Sequence, residues 1–143
     1  MAMKEDRLPA PPPDLSARRL PMKRIAGPAF RIHLSNLSSL HFGRSATGRF
    51  DDPLRKYGVV YAALTPEGAF AEVFLRRLSL MMVAEADLRA RSISLLKISG
   101  LRCVDLSGTG VRTLSCDNRI STEKPYDTVR LWSRALHDHH MET

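Results

Sequence analysis

A long irregular segment between two strand-like runs is the feature that most constrains what this chain can fold into. The segment, Ser35–Lys56, is rich in Ser, Gly, Asn, Asp and Pro, which favour turns over helices and strands. It separates Ala29–Leu34, where apolar and polar residues alternate, from the apolar run Val59–Leu64, and we expect both runs to be strands. Loops of this length are uncommon inside a compact domain and are often functional.

The order of the predicted elements indicates the fold class. A helix is expected over Pro66–Leu78, because Thr65 supplies a capping hydroxyl and a proline stands at the first helical position. Three further elements are expected: strands over Ile93–Ile98 and Leu101–Leu106 around a turn at Gly100, and a closing helix over Asp127–His137. This order has neither the regular strand–helix alternation of a dinucleotide-binding fold nor a Gly-rich phosphate loop. We therefore predict an α+β fold with mixed, largely antiparallel sheets and flanking helices.

Length and composition set further limits on the chain. Its 143 residues fit one domain, and the four prolines within Leu8–Leu15 predict an extended arm over residues 1–23, followed by a domain over residues 24–143. No apolar segment is long enough for a leader or a membrane span. Cys103 and Cys116 lack the spacing of a metal or redox pair. We therefore expect a cytoplasmic protein with free thiols, no membrane association and no bound metal.

The charge of the chain indicates its preferred partners. It carries 22 Lys and Arg against 15 Asp and Glu, a formal net charge of +7, which favours anionic partners. The basic residues form no long continuous run and only 6% of residues are aromatic, so few rings are available to stack on bases. We expect no direct nucleic-acid binding, and a basic RNA-binding or ribonuclease-like protein is kept as an alternative.

A set of short motifs resembles the RES domain in both order and spacing. The matching elements are Phe30-Arg31, Gly48-Arg49-Phe50-Asp51, Val60-Tyr61 and Ala69-Phe70-Ala71-Glu72. Weaker likeness extends the resemblance over about Arg24 to His139. It implies a fold similar to ADP-ribosyltransferases and a toxin that consumes NAD. It also implies neutralisation by a cognate Xre-type antitoxin, a homodimer within the toxin–antitoxin complex, and a protein side chain as one acceptor of ADP-ribose.

The resemblance implies roles for four of these residues. Glu72 and Arg31 are expected to be catalytic, and the NAD-binding residues are expected to be Arg31, Arg49 and Tyr61. These residue types suit the chemistry, because a fixed carboxylate stabilises positive charge on the ribose as its bond to nicotinamide breaks. Guanidinium groups hold a pyrophosphate through forked hydrogen bonds, and a tyrosine ring offers a flat packing face.

Purely structural roles also fit each of these residues. Glu72 lies near the side of its helix opposite the apolar residues and four positions before Arg76, so the two can form an exposed ion pair. Solvation on a polar strand face accounts for Arg31, and a place in the core accounts for Tyr61. For Arg49 the structural role is an ion pair with Asp51 or Asp52.

The family pattern and this sequence differ after the last predicted helix. RES proteins usually continue with an Asp-Gly element and a Tyr-x-Ser-Arg element, whose serine completes the Arg-Glu-Ser set, whereas this sequence ends at Thr143. We therefore expect a C-terminally shortened RES domain. The leading function is NAD cleavage by glycohydrolysis, phosphorolysis or ADP-ribosyl transfer. The alternative is a catalytically incomplete domain that only binds the antitoxin.

Overall fold

A computed structural model describes residues 7–75 and 82–141, without the side chains of the last two of these residues. The strands are β1 (Met22–Leu34) and β2 (Arg91–Val104), which pair in a two-stranded sheet. The helices are α1 (Pro66–Phe74), α2 (Glu85–Arg89), α3 (Gly110–Thr113), α4 (Arg119–Thr122) and α5 (Asp127–Met141), and a short 3-10 turn covers Leu15–Ala17. The mixed α+β class is therefore confirmed, while the likeness to ADP-ribosyltransferases stays a prediction.

The predicted turn at Gly100 is wrong. Gly100 has a φ of +97°, yet it lies inside the continuous strand β2. Beyond the two ends of the antiparallel pair, the Ser35 N–H donates to Ala90 O and the Asp105 N–H donates to Pro21 O. The β2 side of this ladder, residues 90–105, is one residue longer than the β1 side, residues 21–35. A bulge accommodates such an extra residue, and a glycine with positive φ is suited to it.

The predicted strand over Val59–Leu64 is also wrong. Among the residues that the structure describes, Val59 pairs only with Gly43 and Ala63 only with Phe30, each as an isolated bridge. Since the two bridges involve different partners, no continuous ladder forms along this run. Leu64 is 66% exposed, so the run is not the mostly buried segment that its apolar residues suggest.

The remaining three elements agree better with their predictions. The strand predicted over Ala29–Leu34 is the second half of β1, and the closing helix begins at Asp127 as expected and continues to Met141. The Thr65 hydroxyl accepts a hydrogen bond from Gly68 N at 3.0 Å, which confirms the predicted cap. Helix α1 ends at Phe74, and the predicted continuation to Leu78 lies outside the described residues.

The described residues form two compact units. Unit 1 comprises those within Met1–Lys23, Gly43–Val59 and Arg102–Thr143. Its apolar core consists of Leu8, Leu15, Val111, Leu114, Cys116, Ile120, Val129 and Trp132. The Trp132 Nε1–H donates to Pro9 O at 2.8 Å, so the proline-rich segment contributes both side chains and a carbonyl group to the packing of this unit.

Unit 2 comprises the described residues within Arg24–Phe42 and Val60–Leu101. It contains α1, α2 and most of the sheet, and its buried side chains are those of Ala29, His33 and Ala69. The His33 ring lies 2.9 Å from Leu34 O and 2.8 Å from the Ser94 hydroxyl. Because the carbonyl oxygen only accepts, His33 Nδ1 carries a proton and Nε2 accepts from Ser94 in the neutral ring. This bond ties β1 to β2.

No helix in the described part of the chain combines the length and the apolar character needed to cross a membrane.

Candidate functional site

Three of the four predicted site residues line one pocket of unit 2. Arg31, Tyr61 and Glu72 lie around a cavity of about 220 Å³. They come from β1, from the segment after the irregular region, and from α1. The isolated bridge between Phe30 and Ala63 holds the first two of these segments together.

The position of Glu72 follows from the packing of α1. Ala69, Glu72 and Val73 line the pocket together, as residues three or four positions apart share a helix face. Ala69 is buried, and a Cβ atom at Gly68 would lie 3.2 Å from Ala63 Cβ. Because the residues at 68 and 69 are small, the first turn of α1 can approach the segment that contains Tyr61 and Ala63.

The sequence pattern predicts that Glu72 lies on the side of α1 opposite its apolar residues. The structure agrees with this prediction only in part. Glu72 shares the pocket with Val73, and its side chain is exposed, so the carboxylate is accessible from solvent. Phe70 and Phe74 line a neighbouring cavity of about 580 Å³, which shares Ile32 and Arg91 with the pocket. The proposed ion-pair partner Arg76 lies outside the described residues.

Arg31 is a half-buried cation held by backbone carbonyl groups. Its Nη1 donates to Tyr61 O at 3.3 Å and its Nη2 to His41 O at 3.2 Å. The Nε atom is buried and has no hydrogen-bond partner among the described residues. Burial lowers the pKa of the Arg31 guanidinium below its ordinary value, but arginine stays charged at neutral pH. No carboxylate in the described part of the chain forms an ion pair with it, so an anionic group bound here would compensate a charge that is already partly desolvated.

Arg91 is a further pocket residue that the motifs do not identify. It stands at the first position of β2, lines the pocket, and places its guanidinium carbon 5.8 Å from the centre of the Phe74 ring. The pairing of β2 with β1 places the start of β2 beside the end of β1, and the sequence motifs contain no signal for that pairing. The lining therefore combines two guanidinium groups with the single carboxylate of Glu72.

Arg49, the fourth predicted residue, belongs to unit 1. Its Nη1 donates to Glu123 O at 2.8 Å, and its guanidinium carbon lies 4.6 Å from the centre of the Tyr126 ring. The cation that binds Asp52 is Arg134, at 3.1 Å. The structure thus gives Arg49 contacts with the segment that leads into α5, and its predicted role in NAD binding stays a prediction.

The family model described as the RES domain matches residues 21–142 of the chain. This match covers all of the elements from β1 to α5. No curated protein and no solved structure matches the chain significantly.

Proposed function

Because the chain belongs to the RES-domain family, we propose that it is the toxin of a toxin–antitoxin system and that it binds NAD and cleaves its nicotinamide–ribose bond. RES domains are associated with toxin–antitoxin and NAD-related systems. The observation that supports the proposal most is the meeting of Arg31, Tyr61 and Glu72, distant in sequence, around one pocket. Enzyme sites commonly combine such a concave surface with a few convergent polar groups.

The size of the pocket favours one end of NAD. Ligand pockets usually measure about 300–1,000 Å³, so a cavity of about 220 Å³ suits one part of a dinucleotide better than the whole. We assign it to nicotinamide and its ribose, with the Tyr61 ring as a packing face. The Arg31 guanidinium would contact the adjoining phosphate, since it is fixed by two carbonyl groups and keeps N–H groups for a ligand.

The reaction requires little covalent chemistry from the protein. The bond between the ribose C1′ and the nicotinamide nitrogen breaks, and its electron pair stays with nicotinamide, which leaves as a neutral molecule. The cationic ribose then bonds to an oxygen of water, phosphate or a protein side chain, and the proton of a water or hydroxyl acceptor passes to solvent. The Glu72 carboxylate stabilises the developing positive charge and orients the ribose.

The proposal is tested by measuring NAD loss and nicotinamide release with the purified chain. We expect release by the wild-type protein and a loss of about 100-fold or more in Glu72→Gln, a size typical for removing one electrostatic stabiliser. Glu67→Gln is the matched control, because Glu67 lies on the same helix but lines the neighbouring cavity. Equal activity in wild type and Glu72→Gln would contradict the catalytic role of Glu72. Comparing buffers with and without phosphate identifies the acceptor.

We also propose a cognate Xre-type antitoxin as the partner, on the basis of family membership alone. Co-expression with that antitoxin should suppress NAD loss in cells. A folded chain that binds the antitoxin but releases no nicotinamide would instead support the binding-only function.

A further inference from the structure

Unit 1 contains a cavity of about 840 Å³ whose lining is both apolar and basic. Residues 18–22, Arg102, Val104, Thr113, Leu136 and His139 line it, and all of them belong to unit 1. The volume lies towards the upper end of the range of about 300–1,000 Å³ that ligand pockets usually span. We call this site the basic cavity. The proposed reaction in unit 2 assigns no role to any of its residues.

The floor of the basic cavity is apolar and is supported by the core of unit 1. Leu20, Val104 and Leu136 line the cavity and pack against the core cluster. Met22 lines it as well and is 41% exposed. Covering accessible apolar surface is favourable in water, and such surface on a soluble protein often marks the binding site of a partner.

Two hydrogen bonds to the backbone fix the walls of the basic cavity. The Asp105 N–H donates to Pro21 O at 2.7 Å. The His139 Nε2 atom lies 2.9 Å from Arg18 O, and it donates there because a carbonyl oxygen only accepts. Residues 18–22 are thus held against the segment that follows β2 and against α5. The cavity therefore exists before anything binds in it.

The permanent charges of the lining are all positive. Arg18 is compensated, because its Nη2 atom lies 3.1 Å from the Asp14 carboxylate. Arg19 and Arg102 are exposed, and neither forms an ion pair with another described residue. No acidic side chain of the described residues lines the cavity. Two positive charges beside an apolar floor are therefore available to a partner that combines negative charge with apolar groups.

We propose that the basic cavity binds an acidic amphipathic helix of a partner protein. A fatty acid also combines negative charge with apolar groups, but its one carboxylate compensates one arginine, and one acyl chain fills only part of the volume. A peptide segment supplies several carboxylates and several apolar side chains at once. The site lies within unit 1, so it does not depend on the proposed reaction in the pocket of unit 2.

The backbone of the cavity walls favours a helix over an extended peptide. The carbonyl groups of Arg18 and Pro21 already accept hydrogen bonds. An extended peptide needs such groups for its own N–H donors, whereas a helix bonds most of them internally. Apolar residues three and four positions apart then cover the floor, and acidic residues beside them contact Arg19 and Arg102.

The test is fluorescence anisotropy with the full chain and a labelled peptide of about four helical turns, with leucines at helical spacing and glutamates between them. The wild-type protein should bind it. The double variant Arg19→Gln/Arg102→Gln should weaken binding about tenfold, the combined size of two exposed charge contacts. Met22→Ser should weaken it about fivefold through lost apolar contact. The control Arg44→Gln/Arg89→Gln removes two exposed charges outside the cavity and should change affinity less than about twofold.

Two altered peptides test the same recognition without changing the protein. Replacing every glutamate by lysine, or every leucine by serine, should weaken binding about tenfold or more. No binding of the acidic peptide, equal binding of either altered peptide, or an equal loss in the control double variant would overturn the site. Binding of laurate without binding of the peptide would assign the cavity to a single acyl anion instead. A dimer that Arg19→Gln/Arg102→Gln dissociates would assign it to a second copy of the chain. Either result would also overturn the proposal.

Discussion

Unit 1 buries eight apolar side chains in one cluster, with Trp132 and Ile120 fully covered. The described part of unit 2 buries only Ala29, His33 and Ala69. Burial of large apolar side chains is the main favourable term in folding, so unit 1 supplies most of the stabilisation that the described residues provide. Unit 2 depends more on backbone pairing and on polar contacts such as that between His33 and Ser94.

This difference in apolar burial indicates that stability and the proposed function depend on different parts of the chain. The pocket of Arg31, Tyr61 and Glu72 lies in unit 2, whose described part has few buried side chains. Regions with few buried apolar contacts open at a lower free-energy cost, and ligand-binding segments are often of this kind. Variants in the apolar core of unit 1 should therefore act on folding, and variants around the pocket should act on NAD without unfolding the chain.

The largest expected effect is on the core of unit 1. Trp132→Ala should lower the free energy of unfolding by about 3–5 kcal/mol, because Trp132 has no exposed surface and its indole N–H bonds to Pro9. Denaturant unfolding followed by circular dichroism measures this loss. Leu131→Ala, an exposed position on the same helix, should lose far less; similar losses in both variants would show that this cluster is not the stabilising core.

The second largest effect is expected at Arg31, where a substitution should reduce activity more than stability. Arg31→Gln should lower kcat/KM for NAD by up to about 100-fold, through loss of charged hydrogen bonds. Its free energy of unfolding should fall by no more than about 1–2 kcal/mol, because the bonds to Tyr61 O and His41 O are lost while an unpaired, partly desolvated charge is removed with them. Steady-state kinetics and denaturant unfolding are compared on the same samples. A loss of stability as large as that of Trp132→Ala would break the proposed division between the units.

A smaller effect concerns acid stability in unit 1. Burial alone raises the pKa of the Asp52 carboxyl, but the N–H groups of Leu54 and Lys56 and the Arg134 guanidinium together hold it below its ordinary value. A carboxylate with a lower pKa in the folded state stabilises the fold above its unfolded pKa of about 3.9, and this contribution is lost as the pH falls through the folded pKa.

Asp52→Asn should therefore reduce stability by about 1.5 kcal/mol at pH 7, and the difference from wild type should shrink as the pH falls below about 4. Unfolding curves at several pH values measure it, with Asp87→Asn, an exposed position in unit 2, as a control. A difference that does not change with pH would rule out this role for the carboxylate.

The smallest effect is confined to α1. Thr65→Ala removes the bond from Gly68 N and should destabilise the helix by about 1 kcal/mol. Hydrogen exchange should accelerate at the α1 amides while the amides around Trp132 keep wild-type rates. Thr65→Ser keeps the hydroxyl and should behave as wild type; uniform acceleration over both units would contradict local opening.

Local signals predict parts of this molecule well and others poorly. The Thr65 cap and the start of α5 depend on residues that are neighbours in the chain, and both predictions are confirmed. The supposed turn at Gly100 and strand at Val59 depend on which segments pair, which local periodicity does not encode. A positive φ at glycine serves a bulge as well as a turn.

The same limit of local sequence signals applies to the candidate site. Arg31, Tyr61 and Glu72 can be selected from motif order, but Arg91 joins their pocket only through the pairing of β1 with β2. Likewise, the contact of Arg49 with Tyr126 requires the irregular region to reach the start of α5. Such tertiary contacts carry no signal in the spacing of the residues.

The central claim, that the reacting end of NAD binds in unit 2, is tested most directly by hydrogen exchange of Glu72→Gln with and without NAD, since this variant should bind NAD and turn it over slowly. We predict that NAD slows exchange at amides of residues 30–32, 61–63 and 69–73, the segments that carry most of the pocket-lining residues. Slower exchange confined to unit 1, or no change at these amides under saturating NAD, would contradict the claim.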